Sequence, residues 1–335
     1  MTAENTYVAS LPMILAELEV ASVERVSPSF VRIALAGPEL AEFGTPGPVL
    51  DQRIKLIFPN ASGTLPSFAD ADESWWTTWI EIPEDERGSM RTYTVRDVVG
   101  EGSDTRLVVD IVVHDDGGEH AEHGSDDADL LDGAGNRWAL QAEPGQRLVI
   151  LCPRRGHEFG GIEWAPGDAQ RLLLVGDETA APAIRGILRD LPADAVGAAF
   201  LEVPGDSDVY DDVTTPAGIE LTWLPRNGRP RGEDLHAAVL DHLTGTRPAE
   251  TVVVTEDEID PDLWETPVHS SSGETVAEAT AVPTEGSSYA GLYAWIAGES
   301  KVVTGLRRRL VKDLGFDRGQ VAFMGYWREG VSMRS

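Results

Sequence analysis

The feature that most constrains this 335-residue chain is a single change in the period of its apolar residues. Up to about residue 160 they alternate, or run unbroken, over strand lengths only: SFVRIALAG (29–37), DQRIKLIFP (51–59), MRTYTVRDV (90–98), RLVVDIVVH (106–114) and QRLVILCP (146–153). Gly, Pro and Asp clusters separate these runs and helical periodicity is scarce, so the segment reads as an antiparallel β-barrel. From about residue 171 short apolar runs are followed by amphipathic helical patterns: RLLLVG by APAIRGILRDL, IELTWL by GEDLHAAVLDHL, and LYAWIAG by ESKVVTGLRRRLVKDLG. GAAFLEV, ETVVVT and QVAFMGYW read as further strands. Strands alternating with helices call for parallel pairing, with helices covering the faces. The expected fold class is therefore β + α/β: an N-terminal antiparallel β-barrel over 14–160, then a C-terminal open parallel α/β domain over 168–335.

Composition narrows the function classes. A formal charge of −30 repels nucleic acid and anionic membrane surfaces, so neither is an expected partner, and an anionic ligand would need a local basic patch. No apolar run approaches the length of a membrane span, and the N-terminus MTAENTYVASLPM lacks the basic start and apolar core of a signal peptide. A cytoplasmic location is expected. The single cysteine, Cys152, excludes an internal disulfide and a cysteine-based metal or cluster site, so redox chemistry would have to come from a bound cofactor. His114, His120 and His123 are spaced like metal ligands, but the acidic segment around them has nothing to hold a fixed geometry, and no metal site is expected.

One short run carries specific chemistry. In GSMRTYTVRD, Arg91, Tyr93 and Thr94 can offer a guanidinium to a phosphate, a phenol ring to a flat heterocycle and a hydroxyl to a ring nitrogen, which are the parts of a flavin nucleotide. The same residues also suit an ordinary barrel strand with a half-buried tyrosine and solvated arginines. Trp75, Trp76 and Trp79 read as barrel packing.

MRTYTVRDV, VVDIVVHDDGG, GAGNRWAL, GDETAAPAI, YAWIAGES and GYWREG, in this order, resemble the siderophore-interacting protein family of flavin-dependent ferric-siderophore reductases, within the ferredoxin-reductase-like superfamily. VERVSPSFVRIALAGPEL and DQRIKLIFP extend the resemblance from about residue 20 to the C-terminus. It excludes two acidic stretches without Lys or Arg, 115–133 and 256–288, which are expected to be mobile loops. The resemblance implies an FAD-binding barrel and a nicotinamide-binding α/β domain. It assigns to FAD Arg91, Tyr93, Thr94, Asp110, Val112, His114, Gly135, Asn136, Arg137 and Trp138. Where the family has Gly-Pro-Ala-Ser/Thr this chain has Gly133, Ala134, Gly135 and Asn136, with Asn136 expected as the helix N-cap.

The resemblance assigns to NADH or NADPH Gly176, Asp177, Glu178, Thr179, Ala180, Gly298 and Glu299. No G-x-G-x-x-G occurs, so this assignment rests on the resemblance alone. Arg226 and Arg229, after IELTWL, are positioned in sequence to meet the extra phosphate of NADPH. For the ferric siderophore, an anionic iron chelate, the resemblance singles out Lys55. Arg53 shares its strand face through the two-residue period. Tyr326, Trp327 and Arg328, at the end of the last strand, would line the same site.

The implied reaction passes electrons from NAD(P)H through FAD to Fe(III), releasing Fe(II), and needs no iron ligand or catalytic acid–base residue from the protein. Ferredoxin stands as another electron donor. A flavin reductase with a different acceptor and a non-catalytic ferric-chelate carrier remain alternatives.

Overall fold

The computed structural model describes residues 11–68, 71–113, 133–247, 254, 264–266 and 289–331. The chain divides into two compact units, the first running to Ile162 and the second beginning at Glu163.

The first unit is one seven-stranded antiparallel sheet. Its strands are β1 (Met13–Ser27), β2 (Phe30–Ala36), β3 (Arg53–Phe58), β4 (Ser89–Thr94), β5 (Asp97–Val99), β6 (Arg106–Val112) and β7 (Arg147–Pro153). Their order is β4-β3-β7-β1-β2-β6-β5, and the two edge strands β4 and β5 are joined only by Val95 and Arg96. That two-residue step draws the sheet round on itself. The backbone N–H of Val95 bonds the Gln52 carbonyl and that of Arg96 bonds the Val108 carbonyl, so consecutive residues reach opposite ends of the strand order. The run expected as one strand over 90–98 is thus two strands, broken at the step that closes the barrel.

Strand β1, which apolar alternation alone did not mark, pairs through Met13–Glu19 with β7 and through Glu19–Ser27 with β2, with register shifts at Val20/Ser22 and Arg25/Ser27. A bulge shifts the alternation by one residue, so a long bent strand does not present one clean period. Ile14, Leu18, Ile33, Leu35, Ile54, Leu56, Phe58 and Ile150 fill the barrel. A smaller cluster of Leu15, Ile57, Met90 and Val149 lies on the outer face, covered by helix α1 (Trp75–Glu81). Of the tryptophans read as packing, Trp79 is buried there and Trp75 packs against the cluster, whereas Trp76 is exposed.

The second unit is a six-stranded sheet in the order β10-β9-β8-β12-β13-β11. Strands β8 (Arg171–Gly176), β9 (Val196–Val203), β10 (Gly218–Pro225), β12 (Leu292–Glu299) and β13 (Val321–Trp327) are all parallel. Helix α2 (Ala134–Leu140) belongs to the first unit. Helices α3 (Ala181–Asp190), α4 (Glu233–Thr244) and α5 (Ser300–Arg307) follow β8, β10 and β12. Strand β12 is buried along its whole length, as a central parallel strand covered on both faces requires.

The acidic stretch 256–288, expected as a loop, contributes the short antiparallel strand β11 (Trp264–Glu265) to the edge of β13. Trp264 stacks on Tyr326 at 5.7 Å, which holds this short strand against β13, and 256–263 and 267–288 lie outside the described residues. Segment 115–132, with His120 and His123, lies outside the described residues. Among the described residues no helix is long and apolar enough to cross a membrane.

His236 joins α4 to α5: its Nε2 donates to the Val302 carbonyl at 2.9 Å, and Gly305 leaves the room its ring occupies. Burial lowers its pKa to about 4, outweighing the carbonyl bond, and the charge of Arg309 adds to the effect. Because the unfolded chain takes up the proton first, the stability from this neutral imidazole is complete above about pH 6.5 and erodes as pH falls toward 4. His236→Gln, which keeps a donor for the carbonyl, should flatten that decline. Urea melts of both proteins at pH 7, 5.5 and 4.5 test this, and an unchanged pH dependence would refute it.

Candidate functional site

In the first unit the β3–β4 register sorts the predicted flavin residues. Arg91 opposes Leu56 and Tyr93 opposes Ile54, while Thr92 opposes Lys55 and Thr94 opposes Arg53. Opposed residues share a sheet face, so Arg91 and Tyr93 lie on the barrel-core face and Thr94 lies on the other, with Arg53 and Lys55.

On the core face, Phe58 meets Tyr93 edge-on at 6.0 Å and Trp138 at 5.1 Å, forming an aromatic wall between β3, β4 and α2. Gly135 is needed here: a Cβ at that position would lie 1.9 Å from the Tyr93 hydroxyl. Burial raises the Tyr93 phenol above its ordinary value, so it is a neutral donor at physiological pH. Arg91 is half-buried and its Nη1 donates to the Met90 carbonyl at 2.7 Å. Burial depresses its guanidinium, and the charge of Arg137 depresses it further. A phosphate placed beside Arg91 would be attracted by both guanidiniums. Paired cations beside an aromatic wall fit the pyrophosphate and ring system of FAD.

Three other predicted flavin positions are placed differently. Asp110 is buried, with bidentate bonds from Arg32 at 2.7 and 2.9 Å and Arg96 Nε at 3.8 Å. Its carboxylate is committed beside the β4–β5 step. Asn136 is not the N-cap: α2 begins at Ala134 with Gly133 as cap, because the chain is already helical from Ala134 and Asn136 falls inside the first turn. Val112 ends β6, half-buried. His114 lies outside the described residues.

On the opposite face of β3, Lys55 Nζ donates to Thr92 Oγ1 at 2.7 Å. Burial lowers the Lys55 pKa, and the charge of Arg53 lowers it further. In a chain of charge −30 these two half-buried cations, two positions apart on one strand face, are a local concentration of positive charge.

In the second unit, strand ends and helix starts converge as expected for an open parallel sheet. Asp177 follows β8 and is buried; its Oδ1 accepts from the Thr179 N–H at 2.9 Å and the Thr179 hydroxyl at 2.6 Å. Its Oδ2 accepts from the Glu299 N–H and from Trp327 Nε1, both at 2.8 Å. Glu178, fully buried, takes a bidentate pair from Arg226 at 2.8 and 3.1 Å and a third bond from Arg231 at 2.6 Å. Burial would raise its carboxyl, but the two arginines outweigh burial and hold it near 2. Glu202, at the end of β9, accepts the Gly232 N–H on both oxygens at 3.0 Å and Arg226 at 3.3 Å. Glu299 caps α5, accepting the N–H groups of Lys301 and Val302 at 2.6 and 3.1 Å.

Arg226, expected to meet a nucleotide phosphate, is therefore buried between Glu178 and Glu202, while Arg229 stays exposed and pairs with Asp234. Trp327 is bound through its indole N–H to Asp177 and lies under the Arg231 guanidinium at 4.5 Å. Arg328 forms an isolated bridge with Val331.

Gly176 and Gly298 do not open a cradle for a ligand. A Cβ on Gly176 would meet the Ala180 Cβ at 2.5 Å, and one on Gly298 would meet the Asp177 carboxylate at 2.8 Å. Asp177, Thr179 and Glu299 are thus bound to one another and Glu178 to Arg226 and Arg231, so the N–H groups of Thr179 and Glu299 are not open to a dinucleotide pyrophosphate. Glu202, Arg231 and Gly232 were missed in sequence; the only signal was the arginine-rich turn PRNGRPRG after β10.

Two family models match the chain: one described as a siderophore-interacting FAD-binding domain over residues 19–157, and one described as siderophore-interacting protein over 169–330. An uncharacterised protein of Mycobacterium tuberculosis is 33% identical over 238 residues, covering 68% of this chain and 73% of that protein. The ferric vibriobactin reductase ViuB of Vibrio cholerae is 26% identical over 307 residues, covering 91% and 86%. An NADPH-dependent ferric-chelate reductase of Escherichia coli is 26% identical over 316 residues, covering 93% and 92%. Among solved structures, a siderophore utilization protein from T. fusca superposes with a TM-score of 0.61 at 27% identity, covering 97% of each chain.

Proposed function

The chain belongs to the siderophore-interacting protein family, and from that membership we propose that it is an FAD-dependent oxidoreductase passing electrons from NADH or NADPH to ferric siderophores in the cytoplasm. FAD, when bound, accepts an electron pair and releases electrons singly, which matches a two-electron donor to a one-electron metal centre. Oxygen-donor chelators hold Fe(III) far more tightly than Fe(II), so reduction itself frees the iron. The protein's residues have two tasks: Arg91, Arg137 and the Phe58–Tyr93–Trp138 wall hold the flavin, and Arg53 with Lys55 attract the anionic chelate. Relatives named as a ferric vibriobactin reductase and a ferric-chelate reductase support this assignment.

The observation that carries the reading is the half-buried pair Arg53 and Lys55 on β3, one strand from Arg91 and Tyr93 and on the other face of the sheet. Two neighbouring cations give an anionic chelate a local attraction against the long-range repulsion of so acidic a chain. Lys55→Ala should raise KM for a ferric siderophore about five- to tenfold while FAD content and flavin reduction by the nicotinamide stay at wild-type levels, since only the approach of substrate changes. Steady-state kinetics with several ferric siderophores measure this. An unchanged KM for every one that the wild type reduces would reject the assignment of the patch.

A further inference from the structure

The helix starts of a parallel sheet ordinarily offer free N–H groups to a phosphate. Here three of them are already occupied by the chain's own carboxylates. Asp177 takes the N–H of Thr179 before α3 and that of Glu299 before α5; Glu202 takes the N–H of Gly232 before α4; Glu299 takes the N–H groups of Lys301 and Val302 at the start of α5. The missing side chain of Gly298 makes room for the Asp177 carboxylate itself. The cluster Asp177, Glu178, Glu202 and Glu299 carries four carboxylates against the guanidiniums of Arg226 and Arg231. An added pyrophosphate would therefore meet this carboxylate cluster and no unengaged N–H group at Thr179 or Glu299.

We propose that Asp177 is an internal occupant of the dinucleotide phosphate site: it excludes the pyrophosphate of NAD(P)H from the crevice at the ends of β8, β12 and β13, so that the chain engages the nucleotide through its other parts. This rests on the reading that NAD(P)H is the electron donor. It makes Asp177 a determinant of nucleotide affinity that acts by exclusion. Trp327, which donates to the same carboxylate, reports on it by fluorescence.

Equilibrium titration of the FAD-loaded protein with NADH and with NADPH, followed by calorimetry and by tryptophan fluorescence, compares wild type with Asp177→Ser. The serine variant removes the like charge and frees the Thr179 and Glu299 N–H groups, so both nucleotides should bind about tenfold more tightly. Equal or weaker binding in the variant, with the wild type binding nucleotide, overturns the proposal and leaves the nicotinamide reading standing. Binding to neither protein rejects that reading, and this proposal with it.

Should Asp177→Ser fail to fold, amide hydrogen exchange on the wild type decides. NADPH should add no protection at Thr179 and Glu299, whose N–H groups are already bonded, and new protection at those two amides would overturn the proposal.

Discussion

Glu178→Ala is expected to destabilise the second unit by about 3–5 kcal/mol, the cost of leaving buried charges without their partner. Glu178 is fully buried and accepts three bonds from two arginines, so its removal strands Arg226 in the interior beside a single remaining acceptor, Glu202. For a unit of this size that loss corresponds to a fall in Tm of roughly 6–20 °C. The pH dependence has a definite sign. Arg226 and Arg231 hold the folded-state carboxyl near 2, below its ordinary 4.5, so the contribution is complete above about pH 4.5 and disappears as pH falls toward 2. Wild type and Glu178→Ala should therefore differ most near neutrality and converge in acid. Asp177 and Glu202 act in the opposite direction, since burial raises both and their charge is a cost at neutral pH. Calorimetric melts at pH 7 and pH 3.5 test the expectation. A Tm within about 2 °C of wild type at pH 7 would show that the network contributes little.

Arg91→Ala should weaken FAD binding by about 1.5–3 kcal/mol, roughly one to two orders of magnitude in Kd, through loss of a charge-assisted phosphate bond. Arg91 is half-buried and its Nη1 donates to the Met90 carbonyl at 2.7 Å. The variant should be purified with substoichiometric flavin, and titration of the apoprotein with FAD gives the change in affinity. Arg137→Ala should have the same direction and a smaller size, because that side chain is exposed and better screened. Full flavin occupancy at unchanged affinity in Arg91→Ala would place the phosphate elsewhere.

Much of the architecture was legible because period and burial are linked one residue at a time. The alternation in DQRIKLIFP placed Arg53 and Lys55 together, and the β3 burial pattern agrees. The step from RLLLVG to APAIRGILRDL located the β8–α3 turn. Strand β1 escaped because its bulge breaks the alternation and because it changes partner midway. Strand β11 escaped because two residues have no period, and what orders Trp264 is a ring, Tyr326, some sixty positions away in the chain. The N-cap falls at Gly133 instead of Asn136 for a local reason: residue type sets a capping preference, whereas the extended dihedral angles of Gly133 decide where the helix starts.

The sequence by itself determined the two-part fold class and the family. Those properties follow from local periodicity and from short contiguous motifs, where neighbours in sequence are neighbours in space. Tertiary structure alone decided how the charged residues are used. Glu178, Glu202, Arg226 and Arg231 come from three separate strand ends, and which arginine would be buried against which carboxylate depends on how the β8, β9 and β10 ends align. The same alignment places Asp177 where an open sheet would admit a phosphate. Electrostatic energy in a low-dielectric interior varies steeply with distance, so only the folded arrangement fixes whether a charge is a ligand contact or an internal partner.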